Sequence, residues 1–181
     1  VPFIIEAPIK NRFSRFFFVA AATFACDQAA KTLVVMRLRP EESQEIVTGF
    51  LNVVRLGNEY AALGALSQAG AGVRLFLFLI LPLVLMAGMA LGLRYLKRVN
   101  RAQELGLALL FGGALGNLFD RLMRGSVVDF IDFRWGTRHA PTFNIADVAI
   151  CLGIVFLFYG TWKALRSASH LGAAPEERDI Q

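Results

Sequence analysis

"LFLFLILPLVLMAGMALGL", Leu75 to Leu93, carries no charged side chain and is bracketed by Arg74 and Arg94. A helix of about 20 apolar residues is long enough to cross the hydrocarbon core of a bilayer. The run therefore reads as a membrane span and decides the class of the fold. The composition agrees, since 56% of the 181 residues are hydrophobic, against about 45–50% in a soluble domain. The chain is also too short for several large domains.

Three further apolar runs read as spans at roughly residues 16–36, 102–119 and 145–163. The last two are short and need their flanks to complete a crossing. Lys10, Arg12 and Arg15 precede the first span, Arg94, Lys97, Arg98 and Arg101 crowd the connection between the second and third, and Lys163 and Arg166 follow the fourth. Cytoplasmic loops are rich in Lys and Arg, so both termini and that connection are expected in the cytoplasm. The net charge of +5 is explained by topology without nucleic acid, for which the chain has no aromatic-basic motif. The start resembles a signal peptide, with basic residues ahead of "FFFVAAATFAC", but Thr23 and Phe24 fit a cleavage site poorly and the helical pattern runs past Cys26. An uncleaved span is expected.

The segment from Arg37 to Arg74 holds β-branched and aromatic residues broken by Gly49, Gly57 and Gly64, which predicts two or three short strands forming a small sheet on the membrane face. The organisation expected is a membrane domain over residues 1–166, including a β-rich outer segment at 40–70 and an outer connection at 121–145, followed by a polar tail at 167–181. No internal repeat is visible.

The chemistry collects in few places. Cys26 and Cys151 fall inside apolar runs and read as buried thiols. His139 and His170 have no partner at metal-ligand spacing, and no cofactor or metal is implied. Asp27 and Lys31 share a helix face at i, i+4 and are expected to pair, because either charge alone is costly in a bilayer. Gly112, Gly113 and Gly116 form a small-residue face suited to close helix contact. The third span runs outward and the fourth returns, so Asn117, Asp120, Arg121, Asp129, Asn144 and Asp147 gather at one membrane surface. Two carboxyls in a poorly solvated site do not both ionise easily, so one can hold a proton as acid while the other activates water. Ser126 lacks a histidine base. Spacing leaves open whether Asp120 or Asp129 belongs to such a pair. It also leaves open the plainer reading, in which these residues solvate helix ends and Asp147 caps the fourth span.

"DQAAK" (Asp27–Lys31), "GGALGNLFDR" (Gly112–Arg121), "VVDF" (Val127–Phe130) and "FNIAD" (Phe143–Asp147) occur in order at the span positions of one known family. In them the chain resembles the lipoprotein signal peptidases, the type II signal peptidases of bacteria. The resemblance extends over about residues 16–165. It implies an all-α integral membrane fold of four transmembrane helices with a small periplasmic antiparallel β-sheet. It also implies an aspartic endopeptidase of the inner membrane that cuts a diacylglyceryl-modified prolipoprotein just before the lipidated cysteine. Asp129 and Asp147 match the family's catalytic pair. Asn58, Gly64, Asn117, Arg121 and Asn144 match positions that line the site and bind substrate. Asp27, Lys31, Gly113, Gly116 and Asp120 match supporting positions, with Asp120 paired to Arg121. Membrane lipid as the surrounding medium, inhibition by cyclic peptides such as globomycin and a monomeric state are further implications.

One stretch departs from the pattern. In "NEYAALG" (Asn58–Gly64) Tyr60 stands where the family has glycine and Leu63 where it has an aromatic residue. The rival class is a non-enzymatic membrane protein, either a small transporter or an inactive relative. A transporter should carry ionisable groups toward the midplane of several spans, whereas here the polar set collects at one face.

Overall fold

The computed structural model describes residues 9–58, 70–95, 99–136 and 138–171. In chain order these form α1 (Ile9–Arg37), β1 (Ser43–Val47), β2 (Leu51–Asn58), α2 (Ala71–Leu75), a π-helical turn (Phe76–Ile80), α3 (Leu81–Tyr95), α4 (Arg101–Arg124), β3 (Val127–Trp135), β4 (Arg138–His139) and α5 (Ile145–Leu171). Among the described residues, four helical stretches, Arg12–Arg37, Gly72–Arg94, Arg101–Arg124 and Ile145–Ala168, are long and apolar enough to cross a membrane. All of them outrun the expected spans, and the flanks of the third and fourth supply the missing length. The first is continuous through Cys26.

Helix ends follow local chemistry. Asn100 caps α4 in a reciprocal box with Gln103, and Gly125 ends it in the left-handed conformation at φ 79°, which a glycine adopts without steric cost. The π-helical turn precedes Pro82, where Leu81 N–H donates to Phe76 O. A proline lacks the N–H that a regular helix needs, and a local π register bridges the gap. Arg55 closes the end of α1, donating to Val35 O at 3.1 Å and Leu38 O at 2.9 Å, carbonyls that have no partner within the helix.

α4 lies between α1 and α5, and glycines set both contacts. A Cβ at Gly112 would meet Ala20 O of α1 at 2.6 Å, one at Gly116 would meet Asp27 Oδ2 at 2.5 Å, and one at Gly113 would meet Ala146 O of α5 at 2.6 Å. The expected small-residue face thus splits between two neighbours. The second span joins the bundle at its far end, where Leu93 packs with Phe16 and Ala108. Cys26 and Cys151 are exposed on the outer faces of their helices rather than buried, because those faces are turned to lipid.

The sheet is antiparallel in the order β1-β2-β3-β4. Two of its strands lie in the 37–74 segment, as its composition predicts. The other two arise in the 121–145 connection, where no strand is expected from the reading above. Val128 and Phe130 pack against Val34 and Leu38 at the end of α1, which seats the sheet on the helix ends. A register shift between Val53 and Leu56 leaves Leu56 opposite Asp129 and Asn58 opposite Val127. α5 continues to Leu171, past the expected boundary at 166. Tyr60, Leu63, Gly64 and residues 172–181 lie outside the described residues.

Candidate active site

Asp120, at the end of α4, and Asp129 and Asp132, on β3, do three different things. Asp120 belongs to a buried ion network. Lys31 reaches Asp27 Oδ2 and Asp120 Oδ2, each at 2.8 Å, and all three side chains are fully buried. Arg124 also pairs with Asp120. Two positive and two negative charges therefore neutralise one another, which is the arrangement that makes ions tolerable in a bilayer. The expected pairing of Asp27 with Lys31 is present. The expected partner of Asp120 is corrected from Arg121 to Arg124 and Lys31, since the i, i+4 position on a helix lies over Asp120 and the next residue points elsewhere. Gln28 joins the network, donating to Asp120 Oδ1 at 3.2 Å, and was not identified from sequence. Its position beside Asp27 on the first span was the available signal.

Asp132 lies on the opposite face of β3 from Asp129 and binds within the sheet. It accepts from Asn52 at 3.2 Å and Arg134 at 2.8 Å, and it meets His139 at 3.5 Å. Its burial opposes ionisation, but these hydrogen bonds outweigh it and hold the carboxyl below the usual range.

Asp129 and Asp147 are drawn together by three asparagines. Asp147 sits in the first turn of α5, where Asn144 is the N-cap. The Asp147 N–H donates to Asn144 Oδ1 at 3.0 Å, and Asn144 N–H returns a bond to Asp147 Oδ2 at 3.1 Å. This reciprocal cap explains why the aspartate is at that position locally. The same Asn144 donates from its side-chain amide to Asp129 Oδ1 at 2.7 Å. Asn58, at the end of β2, donates to Asp129 Oδ2 at 2.6 Å. Asn117 on α4 donates to Asp147 Oδ1 at 2.8 Å. Every oxygen of the two carboxyls accepts an amide hydrogen.

The orientation of Asn117 is fixed from behind. Its Oδ1 accepts from Lys31 at 2.9 Å and from Asn144 at 3.2 Å. An ammonium can only donate, so the amide nitrogen of Asn117 must face Asp147. The ion network and the carboxyl pair are thus one connected polar system, running from α1 through α4 to α5 and β3.

Burial pushes the Asp129 carboxyl up to about 6; the hydrogen bond from Asn58 opposes the rise and the negative charge of Asp147 adds to it. A carboxyl in that range exchanges its proton readily near neutrality. Arg121 stands beside the pair, with a nitrogen 3.4 Å from Asn117 O and its guanidinium 5.1 Å from the centre of the Phe78 ring. Its Nε is buried and has no hydrogen-bond partner among the described residues. Among those residues, no three His, Cys, Asp or Glu side chains are grouped to hold a metal ion. The geometry suits proton transfer between paired carboxyls and a water.

Of the residues expected from sequence, Asn58, Asn117, Arg121, Asp129, Asn144 and Asp147 meet at this surface, and Asp27, Lys31, Gly113, Gly116 and Asp120 form the support around it. Gly64 falls in the undescribed segment.

The chain is similar to known proteins both in sequence and in shape. The family model for signal peptidase (SPase) II matches residues 19–163. The lipoprotein signal peptidase of Geobacter metallireducens is 38% identical over 149 residues, covering 82% of this chain and 91% of that protein. That of Desulforapulum autotrophicum is 41% identical over 142 residues, covering 78% and 87%. A bacterial membrane enzyme solved by the in meso method at 2.3 Å superposes with a TM-score of 0.72 at 27% identity, covering 93% of this chain and 95% of its own. A second, at 1.9 Å, gives 0.69 at 27% identity, covering 81% and 91%.

Proposed function

The chain belongs to the signal peptidase II family, and on that premise we propose that Asp129 and Asp147 are the catalytic carboxyls with which it cleaves signal peptides from prolipoproteins. The observation that carries the assignment is the sharing of Asn144 by both aspartates, at 2.7 Å to Asp129 and 3.1 Å to Asp147. Asp120 makes no such bond and is already committed to Lys31 and Arg124.

In the proposed reaction one carboxyl of the pair takes a proton from a water as it attacks the scissile carbonyl. The other, protonated, donates to the carbonyl oxygen. The tetrahedral intermediate then collapses as a proton passes to the leaving amine, and the pair returns to its single-proton state. The asparagines hold both carboxyls in place during the cycle, which limits reorganisation. The free Nε of Arg121 is a donor suited to a backbone carbonyl of the bound peptide. The substrate is a precursor whose cysteine carries diacylglycerol, with the acyl chains in lipid and the cut just before that cysteine. Both termini lie in the cytoplasm and the pair faces the outer side of the inner membrane, in keeping with the basic residues at the other helix ends. The enzyme acts as a monomer, and cyclic peptides of the globomycin kind compete for the site.

The test is a gel-shift assay in detergent on a diacylglyceryl-modified prolipoprotein. Wild type should cleave it, and Asp129→Asn and Asp147→Asn should each lose about 10²–10⁴-fold in rate with insertion intact. Full activity in either variant overturns the assignment. A wild type inert on several correctly lipidated precursors favours a binding relative instead.

A further inference from the structure

The far half of the sheet carries apolar surface used by neither the helix bundle nor the carboxyl pair. Side chains alternate across a strand, so Asp129, Ile131, Phe133 and Trp135 share one face of β3. Rings step outward along that face from Phe143, the residue before the cap of α5. Phe133 lies 5.8 Å from Phe143 between centroids, and Phe50 and Trp135 lie 5.2 Å and 6.1 Å from Phe133. The row ends in the open, where Trp135 is 58% and Phe50 40% exposed, with Ile46 and Val47 bare beside them on the β1–β2 hairpin. A contiguous apolar patch of this kind marks a contact with something else.

The height of the patch is set by its attachments. Phe143 is two residues before α5 begins at Ile145, level with the helix ends. The sheet is held to the last turn of α1 by Arg55 and by the packing of Val34 and Leu38 on Val128 and Phe130. The exposed rings of Phe50 and Trp135 are therefore only two ring contacts from Phe143, near the plane where α1 and α4 end. Tryptophan is enriched at membrane–water interfaces, where its ring sits at the level of the headgroups. Arg37 and Arg39 are exposed at the end of α1, and Arg138, paired with Trp135 across β3–β4, is exposed too. A guanidinium pairs readily with phosphate oxygens, so these side chains can meet lipid headgroups.

We propose that the Phe50–Trp135 tip of the sheet is a membrane anchor, seated in the headgroup region of the leaflet at which α1 and α4 end. Its partner is the bilayer, continuous with the lipid-facing surface of the four spans. The anchor fixes the sheet on two sides, by α1 and by the tip, and so holds Asp129 and Asn58 at a constant height over the membrane. The same row could instead receive a stretch of bound polypeptide, and the experiment distinguishes the two.

The chain has two tryptophans, and Trp162 lies near the opposite end of α5. Trp162→Phe leaves Trp135 as the single reporter in an otherwise native protein. The variant is reconstituted into phosphatidylcholine–phosphatidylglycerol vesicles carrying bromine at shallow or deep acyl positions. The expected result is blue-shifted emission that loses most of its intensity to shallow bromine and little to deep bromine, and that resists aqueous acrylamide. Water-like emission quenched by acrylamide and indifferent to bromolipid overturns the anchor. Emission that turns blue only on adding a diacylglyceryl precursor also overturns it, and gives the row to the substrate.

Discussion

The side-chain amide of Asn144 donates to Asp129 Oδ1 at 2.7 Å. Because the same residue caps the helix that carries Asp147, one asparagine fixes the position of both carboxyls.

Asn144→Ala should therefore separate stability from turnover. Loss of the cap costs about 1 kcal/mol. Misplacing the reacting groups costs about 10²-fold in rate. Thermal unfolding in detergent, set beside single-turnover cleavage, measures both. A rate loss no greater than the unfolded fraction would remove the positioning role.

The pH dependence follows from Asp129. Its folded value, about 6, lies above the ordinary 3.8, so the folded state holds a proton that the unfolded state has released. Stability from this group is greatest below about 4, declines as pH rises to about 6, and is level beyond. A pair that works with one shared proton loses rate as pH rises past the same region. Asn58→Ala removes a donor that favours the charged carboxylate, so the high-pH limb of the rate profile should move to higher pH. A limb that stays in place, or moves down, contradicts the contact.

The ion network predicts a compensation. Lys31→Met leaves Asp27 without a counter-ion, whereas Asp120 keeps Arg124. Breaking a buried pair costs about 3–5 kcal/mol. Lys31→Met combined with Asp27→Asn restores neutrality and should recover much of that loss in thermal unfolding. Additive losses would mean that charge balance is not what holds α1 to α4.

Close helix contacts make two glycines behave oppositely. A methyl group at Gly113 would meet Ala146 O at 2.6 Å, on the turn of α5 that bears Asp147, while one at Gly88 would meet nothing within 4 Å. Gly113→Ala should cost about 1–3 kcal/mol and slow cleavage. Gly88→Ala should be neutral or stabilising by up to about 1 kcal/mol, because alanine favours helix. Paired melting and activity measurements check both.

The four spans, the Asp27–Lys31 pair and the set of polar residues at one surface were legible in the sequence because each depends on local pattern: apolar length, i, i+4 spacing, and the alternating direction of successive spans. β3 was not expected, although Val127–Trp135 is a β-branched and aromatic run between Gly125 and Gly136. Its aspartates disguised it, because charged residues in a short connection look like solvated loop until their buried partners are known. The reach of α4 past Phe119 was likewise hidden by Asp120, Arg121 and Arg124, which read as the end of an apolar span, whereas the helix runs on to Arg124 with Asp120 buried and paired to Lys31 and Arg124.

The sequence by itself determined the membrane class, the order of the spans and, through its motifs, the family, since apolar runs and short motifs are properties of neighbouring residues. Only the tertiary structure decided what each aspartate is bonded to. Asp120, Asp129 and Asp132 are alike in chemistry and close in the chain. Their difference comes from what surrounds each: an ammonium and a guanidinium for Asp120, amides and the nearby charge of Asp147 for Asp129, and an arginine, an asparagine and a histidine for Asp132. Those partners come from distant parts of the chain, and burial makes their effect large.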